Sequence, residues 1–552
     1  MQMSLQRYFF AIKKKKRIIE RRLVFVDWIA EYKFSQEKSM RKILGLILYS
    51  CVGDEKDLDG IVDEVVSTDF EIDDLSDKLC DLDPKCFYPI LETGKSKSQY
   101  RNFQGRLHEF WQRLVAACHA EGLLYDSQIL EMCIDWLTAI SGLQVPSFRH
   151  TCMDSAFHIC KLLIKHCDKL QKNLKIDRDR LNTAMRQKSK GKRIETLEAS
   201  ITKFRAELDV LEEHIETVVT GIFVHRQKDV QYSIRAAAIE GLSNFVCEYP
   251  SYFLDEDNDR DTCINWSKYL GQHLHDEHAS VRLQAVRGAK KLLMSQEDAS
   301  ALEMYLDRNQ ERIVSMCQDV DTNVTIEVLE LCGEILEKDE DRLSKDEIDR
   351  LDTIIFRDTL KLQRAAAKFI RRHITDLNVG VSPKLQLKAL ASFCSNLAED
   401  DSCNNLDFCD FVVAGFFDTT ESLREWGIMS ELILKDTKGK SKLSDQEQAV
   451  LVRFLLKSMN IVTEKISSKR TSKRNKAVFA ESQKHFSDCM VTKLPKLLEK
   501  YSAEDSIVQS LILMPQLMAV DAFNPATNKK KLKNLLETTV AIYKRGTRSG
   551  RW

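Results

Sequence analysis

The chain has 552 residues and a formal net charge of −1, with 83 lysines and arginines against 84 acids. That balance excludes a uniformly basic nucleic-acid binder and a polyanionic tail, so any charge-driven contact must be local. Nineteen glycines and eight prolines are roughly half and a third of ordinary usage, leaving few residues for tight turns and many for uninterrupted helices. With 43% hydrophobic residues to supply a core, this composition predicts an all-α chain, arranged as one extended repeat array instead of about three or four compact domains. Sixteen cysteines are scattered with no C-x-x-C, which fits reduced thiols in a cytosolic or nuclear protein. The longest apolar stretch, ILGLILYSCV at 43–52, is too short to cross a bilayer, and the N-terminus lacks the order of a signal peptide, so no membrane association is expected.

In chain order, residues 1–22 form a basic N-terminal segment around KKKKRIIERR, read as a lead-in or a first helix whose charge serves phosphate contact, nuclear import or plain solvation. Residues 23–144 form an N-terminal helical region, in which the acidic stretch IVDEVVSTDFEIDDLSDKLCDLD at 61–83 predicts short exposed helices. Residues 145–222 carry two long stripes. Met153, Phe157, Cys160, Ile164, Cys167 and Leu174 share one helical face. After the polar run RQKSKGKR, a second stripe reads Ile194, Leu197, Ile201, Phe204, Leu208, Leu211, Ile215, Val218 and Ile222. This heptad alternation predicts a helix about 43 Å long that folds back antiparallel on its predecessor, making a projecting hairpin with the polar run at its tip.

Beyond Gly221, four segments with small residues on the packing side recur around Ile234, Val281, Val324 and Gln363, at offsets of 47, 43 and 39 residues. That drift brackets the period of HEAT and armadillo repeats, in which helix pairs stack into a rod. Residues 223–312 and 313–465 are read as such repeats, 466–478 as a basic, serine-rich exposed linker, and 479–552 as further helices.

No catalytic constellation is found. Two Gly-Lys-Ser triplets, at Gly94 and Gly439, lack the upstream glycine of a phosphate-binding loop, since Pro89 and Leu434 stand there. His273, His275 and His278 with Asp276 would point to different sides of a helix, and Cys152, Cys160 and Cys167 repeat at core spacing, so neither set is read as a metal site. No cofactor is expected. The remaining candidates are surface clusters able to displace counterions from a polyanion: Arg186, Lys188, Lys190, Lys192 and Arg193 at the hairpin tip, and Lys469, Arg470, Lys473, Arg474 and Lys476 in the linker. No aromatic is interleaved, which argues against stacking on single strands.

The stretch GIFVHRQKDVQYSIRA at 221–236 resembles the signature block of the stromalin (stromal antigen) family, HEAT-repeat subunits of cohesin. Collinear matches extend it: PSFRHT at 146–151, GKRIETLEASITKFRAEL in the hairpin, YLGQHLHDEHASVRLQA at 269–285, DRNQERIVSM at 307–316 and LPKLLEKYSAED at 494–505. In that light 145–222 resembles the family's hairpin region and 223–312 its conservative domain. The resemblance implies an all-α HEAT/armadillo-like solenoid that is not an enzyme. It further implies a nuclear, chromosome-associated protein binding the kleisin subunit and through it the SMC ring, double-stranded DNA without sequence specificity, and cohesin regulators. The alternative reading is an adaptor of the same architecture serving transport or signalling.

The resemblance also places Arg226, Lys228, Lys268, Gln272 and Arg308 at a groove for aromatic-and-acid peptides. Gln272 stands where animal relatives in the family have tryptophan and Gln227 where the family pattern has tyrosine, which implies loss of the flat apolar contact such a peptide needs. Family members commonly run to about twice this length, so a short paralogue, an isoform or a partial gene model is implied, with either an exposed apolar end or a partner covering it.

Overall fold

In this computed structural model the described residues are 18–52, 88–95, 98, 100–125, 127–187, 191–254, 266–295, 300–378, 380–398, 408–434, 443–519 and 526–548. Every regular element among them is helical. None of these helices is long and apolar enough to cross a membrane. The acidic stretch 61–83, most of the basic N-terminal segment, and Lys188 and Lys190 lie outside the described residues. The chain divides into two units, Met1–Asn309 and Gln310–Trp552.

The first unit begins with α1 (Ile18–Phe34) and α2 (Gln36–Val52). Apolar residues surround the second half of α2 on all sides, and Ile43 to Leu48 are accordingly almost wholly buried, as in a central helix. The helices α3 (Phe103–Ala120) and α4 (Ser127–Ser141) lead to α5 (Pro146–Arg186), which opens on a proline at its first helical position, where no N–H is missed. Forty-one residues make α5 about 60 Å long. Its predicted stripe is the core face, with Met153, Cys160, Ile164 and Cys167 at 0–1% exposure. After the tip, α6 (Gly191–Val218) returns antiparallel, and Ser200 Oγ donates to Asp177 Oδ2 at 2.8 Å across the seam.

Burial along the α6 stripe is uneven. Leu211, Ile215 and Val218 are fully buried where α4 flanks the hairpin base, while Ile194, Leu197, Phe204 and Leu208 stay half-buried towards the tip. A two-helix hairpin alone covers only a narrow seam. A π-helical turn, Val219–Phe223, ends α6 and sinks Ile222 and Phe223 into the body, with Phe223 edge-on to Tyr269 at 5.1 Å.

The repeats follow as α7 (Tyr232–Glu248), α8 (Trp266–His273), α9 (Ala279–Ser295) and α10 (Ser300–Ser315), within which the first unit ends. One device marks their register. Arg149, Arg235 and Arg282 each donate, through Nη1, to the two carbonyls six and five residues upstream: Leu143 and Gln144, Asp229 and Val230, Asp276 and Glu277. The aspartates of these turns accept from the amide two residues on, Asp229 from Gln231 and Asp276 from His278. Two of the arginines also reach the next turn's aspartate, Arg149 to Asp229 and Arg235 to Asp276.

In the second unit, α11 (Thr322–Lys338), α12 (Lys345–Asp352), α13 (Leu360–His373), α14 (Pro383–Ala398), α15 (Phe408–Phe416), α16 (Trp426–Leu434), α17 (Asp445–Ser467), α18 (Lys473–Lys500), α19 (Asp505–Leu513) and α20 (Ala526–Arg548) continue the all-α pattern. Thr325 and Gln363 take the arginine's place there, donating to Asp319 O and Arg357 O, again six residues upstream. Gln363 is therefore in register with Thr325 and not with Val324, one residue away from the register that the sequence pattern predicts. On α20 Leu536, Val540 and Tyr543, a turn apart, are each about half exposed at 49%, 48% and 52%.

Two expectations are corrected here. The linker at 466–478 is only the short turn after Ser467; Ser472 caps α18 by accepting from the amide of Asn475 at 3.2 Å, so Lys473, Arg474 and Lys476 are helical. Of the three histidines placed on one helix, only His273 is helical, as the last residue of α8; His275 and His278 lie in the following turn. His273 is buried, bonded to Tyr269 O at 2.7 Å and Gln227 O at 2.8 Å, while His278 stacks on Tyr232 at 3.5 Å. Among the described residues no group of three metal-binding side chains is assembled.

The α3–α5 interface carries two histidine pairs, His108–His158 stacked at 4.0 Å and His119–His166 tilted at 4.7 Å between ring centroids. Burial pushes His158 down to about 4; His108, Lys161 and Lys165 add to this while Asp154 opposes. Burial, His119 and Lys169 push His166 down to about 4. Both rings are thus neutral in the fold but take up protons near 6.5 when unfolded. The folded state binds fewer protons, so the stability they confer is complete above pH 6.5 and is lost as pH falls towards 4. The urea midpoint of the first unit is expected to drop steadily between pH 7 and 5, and more shallowly in His158→Gln; an unchanged pH slope in that variant would refute this assignment.

Candidate partner and nucleic-acid interfaces

The residues expected to line a peptide groove lie on α8, α10 and the turn before α7. Trp266 stacks on the buried Tyr305 at 5.9 Å. One turn on, Gly271 lets the helices close, since a Cβ there would stand 2.6 Å from Asn309 Oδ1. Lys268 and Gln272, four residues apart and both exposed, share a face of α8. Exposed Arg308 follows on α10, beside Asn309, with Nη2 3.5 Å from Met304 Sδ. The bond from His273 to Gln227 O brings the turn carrying exposed Lys228 against the end of α8. Lys228, Lys268, Gln272 and Arg308 are all exposed, on elements that the Gly271–Asn309 approach and the His273–Gln227 bond hold together.

Arg226 and Gln227 belong to the framework instead. Arg226 donates to Asp229 Oδ2 at 2.6 Å and keeps only 14% of its side chain exposed. Gln227 is 1% exposed, with Nε2 donating to Val224 O at 3.2 Å. The expectation that Gln227 removes an anchor from the groove surface is corrected accordingly: its side chain packs inside the turn, whereas Gln272 is at the surface.

Asp229 is the residue that sequence reasoning missed. It accepts from Arg149 Nε and Nη2 at 2.7 and 3.0 Å, from Arg226, and from the amide of Gln231 at 2.9 Å. Burial alone would raise its carboxyl; the Arg149 bond, the Gln231 amide and the two guanidinium charges outweigh that and hold it below the usual range. Arg149 stands 80 residues upstream, so no local pattern joins the two.

The basic clusters share another feature. Lys192 and Arg193 are exposed in the first turn of α6, and Lys473 and Arg474 in that of α18, neither of which has an acid there. Arg186 is exposed at the end of α5, and Lys469 and Arg470 in the turn before α18. Cations at a helix N-terminus oppose the helix dipole and add to a positive field that suits an anion. The start of α20 repeats the arrangement with exposed Lys529, Lys530, Lys531 and Lys533, a run without a counterpart among the clusters expected from the sequence.

The all-α helical repeats, with basic residues exposed at several helix starts, place the chain in the HEAT class of repeat proteins. Three family models match in chain order: the STAG domain at 88–200, the stromalin conservative domain at 228–310, and the HEAT-repeats domain of cohesin subunit SCC3/SA at 411–549. Together they cover more than half of the chain, which belongs to the stromalin (SCC3/SA) family. It is 22% identical to Sister-chromatid cohesion protein 3 of Arabidopsis thaliana over 529 residues, 92% of this chain and 46% of that protein. Against the human Cohesin subunit SA-3 it is 26% identical over 538 residues, 93% of this chain and 42% of the relative. The chain thus spans less than half the length of these relatives. In fold it resembles the cohesin subunit Scc3 of Z. rouxii, with a TM-score of 0.73 at 18% identity, covering 97% of this chain and 63% of that structure.

Proposed function

We propose that the protein is a non-catalytic, chromosome-associated cohesin subunit acting in the nucleus to support sister-chromatid cohesion. In this reading it binds the kleisin and through it the SMC ring, lays basic helix starts on duplex DNA, and offers exposed Lys228, Lys268, Gln272 and Arg308 to regulators. The observation that carries the reading is the ordered set of three family segments on one chain whose fold resembles that of Scc3. DNA contact is expected to be with phosphates and indifferent to sequence, because the candidate residues are lysines and arginines at helix ends. The test is co-purification of the full chain with the kleisin of the same cell. Retention of kleisin at physiological salt is expected, and its absence, with the chain folded, would favour an adaptor outside cohesin.

A further inference from the structure

Beside the signature turn, on the side of Arg149, lies a recess of about 540 Å³ between the loop Gly142–Gln144 and residues 225–231. Three permanent cations, Arg149, Arg226 and Lys228, line it against a single carboxylate, Asp229. Arg149 is 8% exposed and has its donors committed to Asp229 and to the carbonyls of Leu143 and Gln144. Arg226 is less satisfied. It gives Nη1 to Asp229, while its Nε is buried with no hydrogen-bond partner. Burial lowers its guanidinium, the charge of Asp229 opposing and that of Arg149 adding. Lys228 and His225 are exposed beside it.

The backbone adds to the same field. The 41-residue α5 starts at Pro146, and its N-cap Val145 offers no side-chain bond; α7 starts after Gln231, again without a side-chain cap. Neither helix has an acid in its first turn. Two uncapped positive helix ends therefore border a recess that already holds more cation than anion.

We propose that this recess binds a dianionic phosphate group, either free or carried on a phosphorylated protein side chain. Its cations exceed its carboxylate by two charges, which a phosphomonoester balances and a lone carboxylate does not. The recess is concave, whereas the phosphates of a duplex are monoanionic diesters strung along a convex backbone, so the occupant differs in kind from the DNA expected at the hairpin tip. Phosphate capture here is independent of whether kleisin or duplex DNA binds elsewhere.

Titration calorimetry on the full chain at constant physiological ionic strength tests it, with inorganic phosphate, a short phosphoserine peptide, its unphosphorylated twin and a short DNA duplex as probes. Phosphate, free or on the peptide, is expected to bind at one site, and both Lys228→Glu and Arg226→Gln to weaken it by about tenfold or more. The Lys192→Glu/Arg193→Glu pair at the hairpin tip is expected to leave it unchanged. Because Arg226 braces the turn, Lys228→Glu is the decisive variant, with circular dichroism confirming its fold. Binding of inorganic phosphate alone assigns the recess to a free phosphate, and binding of the phosphopeptide but not its twin assigns it to a protein-borne one. No binding by either, equal binding of the peptide and its twin, equal loss in the tip pair, or displacement of the bound phosphate by the duplex would overturn the proposal.

Discussion

Replacing Asp229 by alanine is expected to cost the first unit about 3–5 kcal/mol, the range for removing one partner of a buried ion cluster. Its side chain is 1% exposed and is the shared acceptor of Arg149 and Arg226. The substitution leaves two guanidiniums side by side in a nearly dry corner, and also frees the amide of Gln231. For a unit of this size that is a fall in thermal midpoint of about 5–8 °C. Asp276→Ala serves as the comparison. Asp276 holds Arg235 through two bonds of 2.8 Å, but Glu277 stands 3.7 Å from the same guanidinium and can take up part of the charge. A smaller loss is expected there. Equal midpoints for the two variants, measured by differential scanning calorimetry, would show that the corner is wetter than its geometry implies.

The second large effect is electrostatic. Neutralising Lys188, Lys190, Lys192 and Arg193 together with glutamine should weaken duplex binding and flatten its salt dependence, by roughly 0.9 in the log–log slope for each phosphate left without its cation. Stability should hold or rise slightly, because Lys192 and Arg193 oppose the dipole of α6 and removing them relieves a local penalty of about 0.3–1 kcal/mol each. Affinity measured by fluorescence anisotropy across a salt series separates the two effects. An unchanged slope would take the hairpin tip out of the DNA surface and leave α18 and α20 to supply it.

What could be read from the sequence was what repeats. The α5 and α6 stripes alternate over many turns, so helix type, antiparallel return and the buried face of α5 were all legible. The extent of burial on α6 was not, because it depends on α4, which covers the base of the hairpin and not its tip. Lys268, Gln272 and Arg308 were singled out only through the family resemblance, since no local pattern marks them. Gln227 was misplaced because its side chain folds back onto Val224 O inside a turn whose carbonyl is held by His273, 46 residues away. The supposed linker failed for a local reason: serine reads equally well as a loop residue and as a helix cap, and Ser472 is the latter. The Arg149–Asp229 pair needed the fold itself.

The guanidinium braces have a mechanical corollary. Within the first unit, Arg149 and Arg235 couple one inter-helix turn to the next by charge-assisted bonds, so the edge formed by those turns resists stretching more than packed apolar helix faces resist sliding. Such an edge behaves as a tether of nearly constant length. When a ligand flexes these repeats, the strain should appear as fanning or closing of the helices about that tether, and force applied along it should meet the steepest resistance in the unit.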